Sequence, residues 1–288
     1  MLRAGRASVA FMAILVVLAV AGPAAAATDV SCGQVISDPG VYTLGDDLNC
    51  TEAIEIRSGR VTLDLQGHTL SGYGSQRMGI LIWVFDSSPA NPILVQNGTI
   101  RGFSVPPTDS FGLAGIWVGI GNVTLQNLSL SQNEIGIDVY GAGASAQIQH
   151  NVIDHNHAWG VVARPGAAAY VVGNRIVRNG SGIYATYTRG GYIHGNFVAF
   201  NAGSGIGVNN AVPVDGNMLM HNGGDGLTLY SGEGIQGAQF QVATNNLAVG
   251  NGGYGIWSEY PLVPGNSTGN RAAGNGSTPQ CWNVICSP

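Results

Sequence analysis

The 288-residue chain contains no lysine, and only 9% of its residues are charged. With a net charge of -5 at neutral pH, it lacks the basic patch that would hold nucleic acid or an anionic lipid surface. Strong helix formers are scarce while glycine reaches 45 residues, and a composition that keeps interrupting helices excludes a helical architecture. No apolar run attains the roughly 20 residues of a membrane-spanning helix. Cysteine is confined to two pairs near the ends, Cys32 with Cys50 and Cys281 with Cys286. Neither pair has C-x2-C spacing or a nearby histidine, which argues against zinc.

The longest apolar run lies at the N-terminus, where Arg3 and Arg6 precede VAFMAILVVLAVA and then the small residues GPAAAATD. That layout is a secretory leader with cleavage near Ala26 or Ala27, so residues 1–27 are expected to be removed and the protein exported, without stable membrane insertion. In an oxidising compartment the cysteines are expected to close two local disulfides, Cys32–Cys50 and Cys281–Cys286, one stapling each end.

Between the staples the chain repeats. Aligned on asparagine, it reads HNVIDHNHAWGV, GNRIVRNGSGIY, GNFVAFNAGSGIGV, GNMLMHNGGDGLTL, NNLAVGNGGYGIW and GNRAAGNGS. Each copy sets a second asparagine five residues after the first: Asn151/Asn156, Asn174/Asn179, Asn196/Asn201, Asn217/Asn222, Asn246/Asn251 and Asn270/Asn275. Successive first asparagines are 23, 22, 21, 29 and 24 residues apart, the long interval holding an insertion near SGEGIQGAQ. Weaker copies begin at Asn127 and Asn97.

Each unit carries short alternating segments, such as Gly136-Ile-Asp-Val and Gly182-Ile-Tyr-Ala, with a residue such as Ile153 or Ile176 between the asparagines. Three strands in so short a unit cannot bury a face alone. Stacked at about 4.8 Å per coil, they form parallel sheets around a shared apolar core. The asparagines then fall at turns, where amides can bond from coil to coil, and nearby glycines supply positive φ. The expected fold is all-β: a single-stranded parallel β-helix, right-handed by the crossover rule. Its expected organisation is a leader at 1–27, an N-terminal cap and first strands at 28–60, coils at 61–275, and a disulfide cap at 276–288.

These Asn-x4-Asn-x3-Gly-Ile units resemble the right-handed parallel β-helix repeat proteins. The opening CGQVISDPGVYTLGDDLNC, followed by VTLDLQGHTLSG, is similar to the first coils of exported members of the carbohydrate-binding and sugar-hydrolase class, which also takes in periplasmic copper-accessory β-helix proteins. What the resemblance implies is a bias toward extended polysaccharide ligands; a fold by itself carries no activity.

Function is sought on outward positions. Strand alternation places Asp138, Val162, Tyr184, Gly207, Thr228 and Trp257 in one outward column, and Tyr140, Arg164, Thr186, Asn209, Tyr230 and Glu259 in a second. Aromatics on such a face suit sugar rings, and Trp117, Tyr184, Tyr187, Tyr230 and Trp257 are the expected substrate contacts. The alternative is that aromatics simply favour exposed sheet.

Asp138, Tyr140 and Arg164 are expected to converge on neighbouring coils. In uronate β-elimination or C5-epimerisation, Arg164 would neutralise the substrate carboxylate, Tyr140 would move the C5 proton and Asp138 would orient. His157 is a further candidate proton carrier. The segment IGIDVYG shares only part of the Tyr-Gly-x-Asp-Pro-His pattern of alginate epimerases. The only Asp-Asp pair, Asp46-Asp47, lies in the N-terminal cap, away from where a hydrolase would use it.

No metal or other cofactor is expected. Met218, Met220 and His221 offer soft ligands without a second cluster to complete a site, and His150, Asp154, His155 and His157 are what the repeat leaves free at one turn. The expected function is an exported monomer that binds or acts on polysaccharide, with a non-catalytic structural or surface-interaction β-helix as the alternative.

Overall fold

A computed structural model describes residues 27–72, 78–85, 88, 90–104, 113–209, 212–230 and 241–287. The leader up to residue 26 and the insertion at 231–239 lie outside the described residues.

The repeat folds because each coil offers three short apolar stripes and none can bury alone. One sheet stacks Ile135–Val139, Trp159–Ala163, Ser181–Ala185, Ile206–Asn209, Leu227–Tyr230 and Ile256–Ser258. A second stacks Ala144–Gln149, Ala168–Val172, Gly190–His194, Val214–Asp215 and Ala243–Thr244. A third stacks Val152–Asp154, Arg175–Val177, Phe197–Ala199, Met218–Met220, Leu247–Val249 and Asn270–Ala273. Every pairing is parallel and joins equivalent strands of successive coils. The chain is thus an all-β parallel β-helix, with the Cys32–Cys50 and Cys281–Cys286 disulfides at its ends.

Inside, identical positions stack into apolar columns, among them Ile137, Val161, Ile183, Ile206, Leu227 and Ile256, all buried. Alternating with them at two corners run the asparagine ladders. Away from the ladder ends, each asparagine accepts, through Oδ1, the backbone N–H and the side-chain amide of its counterpart one coil earlier, and donates its own N–H and amide one coil onward. Asn156, for instance, donates N–H and Nδ2 to Asn179 Oδ1 at 3.0 and 2.9 Å, and Asn179 donates likewise to Asn201 at 2.9 and 3.1 Å. The second amide proton closes a further bond to a strand carbonyl, as from Asn179 to Ile153 O at 3.1 Å. Although Asn179 opens an Asn-Gly-Ser sequon, its burial within the ladder removes it as a glycosylation acceptor in the folded chain.

The glycine that opens each strand beside the ladder is there for space. A Cβ on Gly182 would lie within van der Waals overlap of the Gly205 carbonyl oxygen and the Val198 side chain.

At the tight turns, residues other than glycine share in the positive φ. The residue before each ladder asparagine is left-handed, and beside Gly173, Gly195 and Gly216 that position holds His150, His155, Arg178, Phe200, His221 and Asn245, with φ between 52 and 58°. Histidine and asparagine tolerate this region better than most residues. His150 and His155, in the densest histidine segment, are therefore corner residues of the coil.

Candidate functional site

The outer face of the first sheet runs in the expected register: Trp117, Asp138, Val162, Tyr184, Gly207, Thr228 and Trp257 follow one another coil by coil. The face divides into three zones.

Toward the N-terminus, Trp83 stacks on Trp117 at 5.5 Å between ring centroids with a 10° interplanar angle, and Trp117 stacks on Tyr140 at 5.9 Å and 25°. Both faces of the Trp117 ring are covered by its neighbours. A sugar ring seeking an open aromatic face does not find one on Trp117.

The middle zone holds Asp138 and Arg164 on neighbouring coils. Arg164 Nε donates to both carboxylate oxygens of Asp138, at 2.9 and 3.0 Å. Asp138 is 0% exposed although its strand position points outward. On this face Ile135 and Val162 form a small buried cluster, against which Trp117, Trp159 and Tyr184 pack. Burial pushes the Asp138 carboxyl up from its ordinary value, and the Arg164 hydrogen bond and charge oppose that rise. Tyr140 is 38% exposed and belongs to the stacked zone. His157 stands at the strand entrance, with Nδ1 3.8 Å from the Glu134 carboxylate.

The third zone is a cleft of about 300 Å³, at the small end of the range for ligand sites. Ser181, Ser204, Gly207 and Thr228 line its floor, Trp159 and Tyr184 one wall, and Tyr230 the other. Its cause is Gly207, where neighbouring coils carry Tyr184 and Thr228. A Cβ there would sit 3.1 Å from Tyr184 Cδ2 and 3.8 Å from Tyr230 Cε2, so both rings lean over the vacant position. Tyr230 is flanked further on by Trp257, at 5.9 Å and 58°. Burial raises the Tyr230 hydroxyl pKa, with the nearby Tyr184 and Asp225 adding to the rise and Thr228 opposing it. Of the expected contacts, Tyr184 and Tyr230 line this cleft and Trp257 adjoins it, whereas Tyr187 is an exposed corner residue at φ 46° outside its lining.

Two features elsewhere escaped the sequence reading. On the second sheet, Tyr170 meets Tyr192 edge to face at 5.2 Å. Nearby, His194 Nδ1 lies 2.9 Å from Asp215, which also accepts from Thr244 and Asn245 at 2.6 and 2.8 Å. The Thr244 bond, with those from Asn245 and His194, holds the Asp215 carboxyl below its usual range. The register itself held the signal, because His194, Asp215 and Thr244 share one outward column. Among the described residues no group of three or more His, Cys, Asp or Glu side chains is arranged to hold a metal ion, and no helix is long and apolar enough to cross a membrane.

A parallel β-helix with a ladder interior and a cleft on one outer face defines the class of protein. Residues 79–275 match the family described as the right handed beta helix region, and the chain belongs to that family. No curated protein sequence matches it. Among solved structures, a double mutant of the periplasmic alginate epimerase AlgG aligns with a TM-score of 0.51 and 12% identity, over 88% of this chain and 75% of that one. The Azotobacter vinelandii mannuronan C-5 epimerase AlgE6 A-module gives 0.48 and 15%, over 91% and 89%. The Dettilon tailspike protein gp208 gives 0.47 and 15%, over 91% of this chain but only 61% of the tailspike. At these identities the likeness is one of fold.

Proposed function

We propose that the protein is an exported polysaccharide-binding β-helix that holds its ligand on the outer face of the first sheet, at the cleft over Gly207. The observation that carries this reading is the cleft's construction: two tyrosines lean across a glycine gap above a floor of serine and threonine hydroxyls. Aromatic faces take the C–H faces of a sugar ring, and the hydroxyls take its polar edge. The disulfides at both ends fit a protein made for an oxidising compartment.

Binding is favoured over uronate elimination or epimerisation by the middle zone. Catalysis would require Arg164 to meet a substrate carboxylate, but its Nε already donates to both oxygens of Asp138. Asp138 is buried beneath its neighbours, away from any substrate. The pair therefore serves the packing of the face.

Affinity electrophoresis through gels containing a panel of polysaccharides tests the proposal. At least one polymer should retard the protein. Tyr184→Ala and Tyr230→Ala should each weaken that retardation about tenfold, equivalent to roughly 1.4 kcal/mol. Trp83→Ala, in the stacked zone, should leave it within twofold. Unretarded migration in every gel, or equal loss in all three variants, would overturn the reading.

A further inference from the structure

The cleft has a charge character that bears on which sugars it accepts. Its described lining residues include no ionised side chain. The nearest charge against the floor is negative: Asp225 accepts the Thr228 hydroxyl at 3.2 Å and the Tyr254 N–H at 2.6 Å. Arg164, one coil before Tyr184 on the same face, is engaged with Asp138.

Size points to a single ring. The cleft's volume of about 300 Å³, at the small end of the range for ligand sites, suits one sugar unit and not a run of them.

Resting on the polysaccharide reading above, we infer that the cleft is selective for an uncharged sugar unit, one pyranose ring bearing hydroxyl or acetamido groups, and discriminates against uronates. Desolvating a uronate carboxylate beside Asp225, with no cation in the lining, is unfavourable. A neutral ring loses nothing comparable and gains the hydroxyl floor.

The experiment is quantitative affinity electrophoresis in gels of galactomannan, glucomannan, hydroxyethylcellulose, partly N-acetylated glycol chitosan, alginate and polygalacturonate, each at low and moderate salt. At least one of the first four should retard the protein at least tenfold more strongly than either uronate. Asp225→Asn should raise the affinity for the uronates several-fold relative to the uncharged polymers. Gly207→Val should abolish retardation while its melting temperature, read in parallel, stays near that of the parent. Thr228→Val offers a second, nearly isosteric variant that should weaken binding without filling the cleft. Stronger retardation by alginate or polygalacturonate than by any other polymer would overturn the inference while leaving polysaccharide binding intact. Absence of retardation by all six would overturn the polysaccharide reading, and the inference with it.

Discussion

Asn179→Leu should destabilise the protein by about 4 kcal/mol, because removing this one side chain strands several buried polar groups, each costing about 1–3 kcal/mol. The Asn156 N–H and Nδ2 lose their acceptor, and the Ile153 carbonyl loses its donor. Asn201 Oδ1 keeps only the backbone N–H of residue 179. Leucine is close in volume, so the loss is polar and not a cavity. Asn179→Asp should be at least as harmful, since a carboxylate oxygen would then face the Ile153 carbonyl and Asn201 Oδ1. The terminal ladder residue provides the control. Asn275 ends the stack against the Gln280 side chain, donating its N–H and Nδ2 to Gln280 Oε1 at 2.7 and 2.9 Å, and its replacement strands a group at the margin where coils can fray. Stability in a stacked repeat is close to a sum over neighbouring units, so the central substitution should cost more than the terminal one. Urea unfolding of the three variants checks this; equal costs at 179 and 275 would mean that the ladder is not a stack of interdependent bonds.

Arg164→Ala should cost about 3–5 kcal/mol at neutral pH, the usual penalty for leaving one member of a buried ion pair without its partner. Here the survivor is the Asp138 carboxylate, which has no exposure to water. The sign of the pH dependence follows from the direction of its shift. Asp138 titrates above the ordinary carboxylate range because burial outweighs the Arg164 contribution. The folded state therefore holds that proton more tightly than the unfolded chain. Its stabilising contribution is complete below the unfolded pKa of about 3.9 and is lost as pH rises through the higher folded value. Removing Arg164 takes away the opposing influence, so the folded pKa rises further and the loss extends over a wider span. The urea midpoint of the variant should fall more steeply than that of the parent as pH rises above the unfolded pKa of about 3.9, and the two should converge toward acid. Parallel curves would contradict the assignment of an ionised Asp138 held by Arg164.

The architecture was legible because its strongest physical requirement writes itself into the sequence. A buried amide ladder needs asparagine at every coil, and the pairs from Asn151/Asn156 to Asn270/Asn275 all occupy it. The outward columns also followed from simple alternation, and the observed register places Asp138, Val162, Tyr184 and Gly207 side by side. Depth was less legible. Alternation says that Asp138 points outward, but it cannot say that Trp117, Trp159 and Tyr184 close over the small cluster beside it.

The cleft was hidden for a related reason: its defining residue is Gly207, which contributes space and no chemistry that a residue pattern would reveal. The tyrosines that flank it stood out, yet so did Trp117, and only ring geometry separates an aromatic whose faces are taken from one that leans over a gap. The histidine-rich turn was legible as a turn of the repeat. The position before the first asparagine reads His150, Gly173, Gly195, Gly216 and Asn245, a column of residues that tolerate positive φ. A histidine in such a column marks a corner before it marks a ligand.

The most direct test of the central claim is a crystal structure of the protein with an oligosaccharide of whichever polymer retards it most strongly. The account predicts density for one sugar ring between Tyr184 and Tyr230, above Gly207, with its hydroxyls toward Ser181, Ser204 and Thr228. Density confined to the Trp83–Trp117–Tyr140 stack, or a sugar carboxylate bound to Arg164 in place of Asp138, would contradict it.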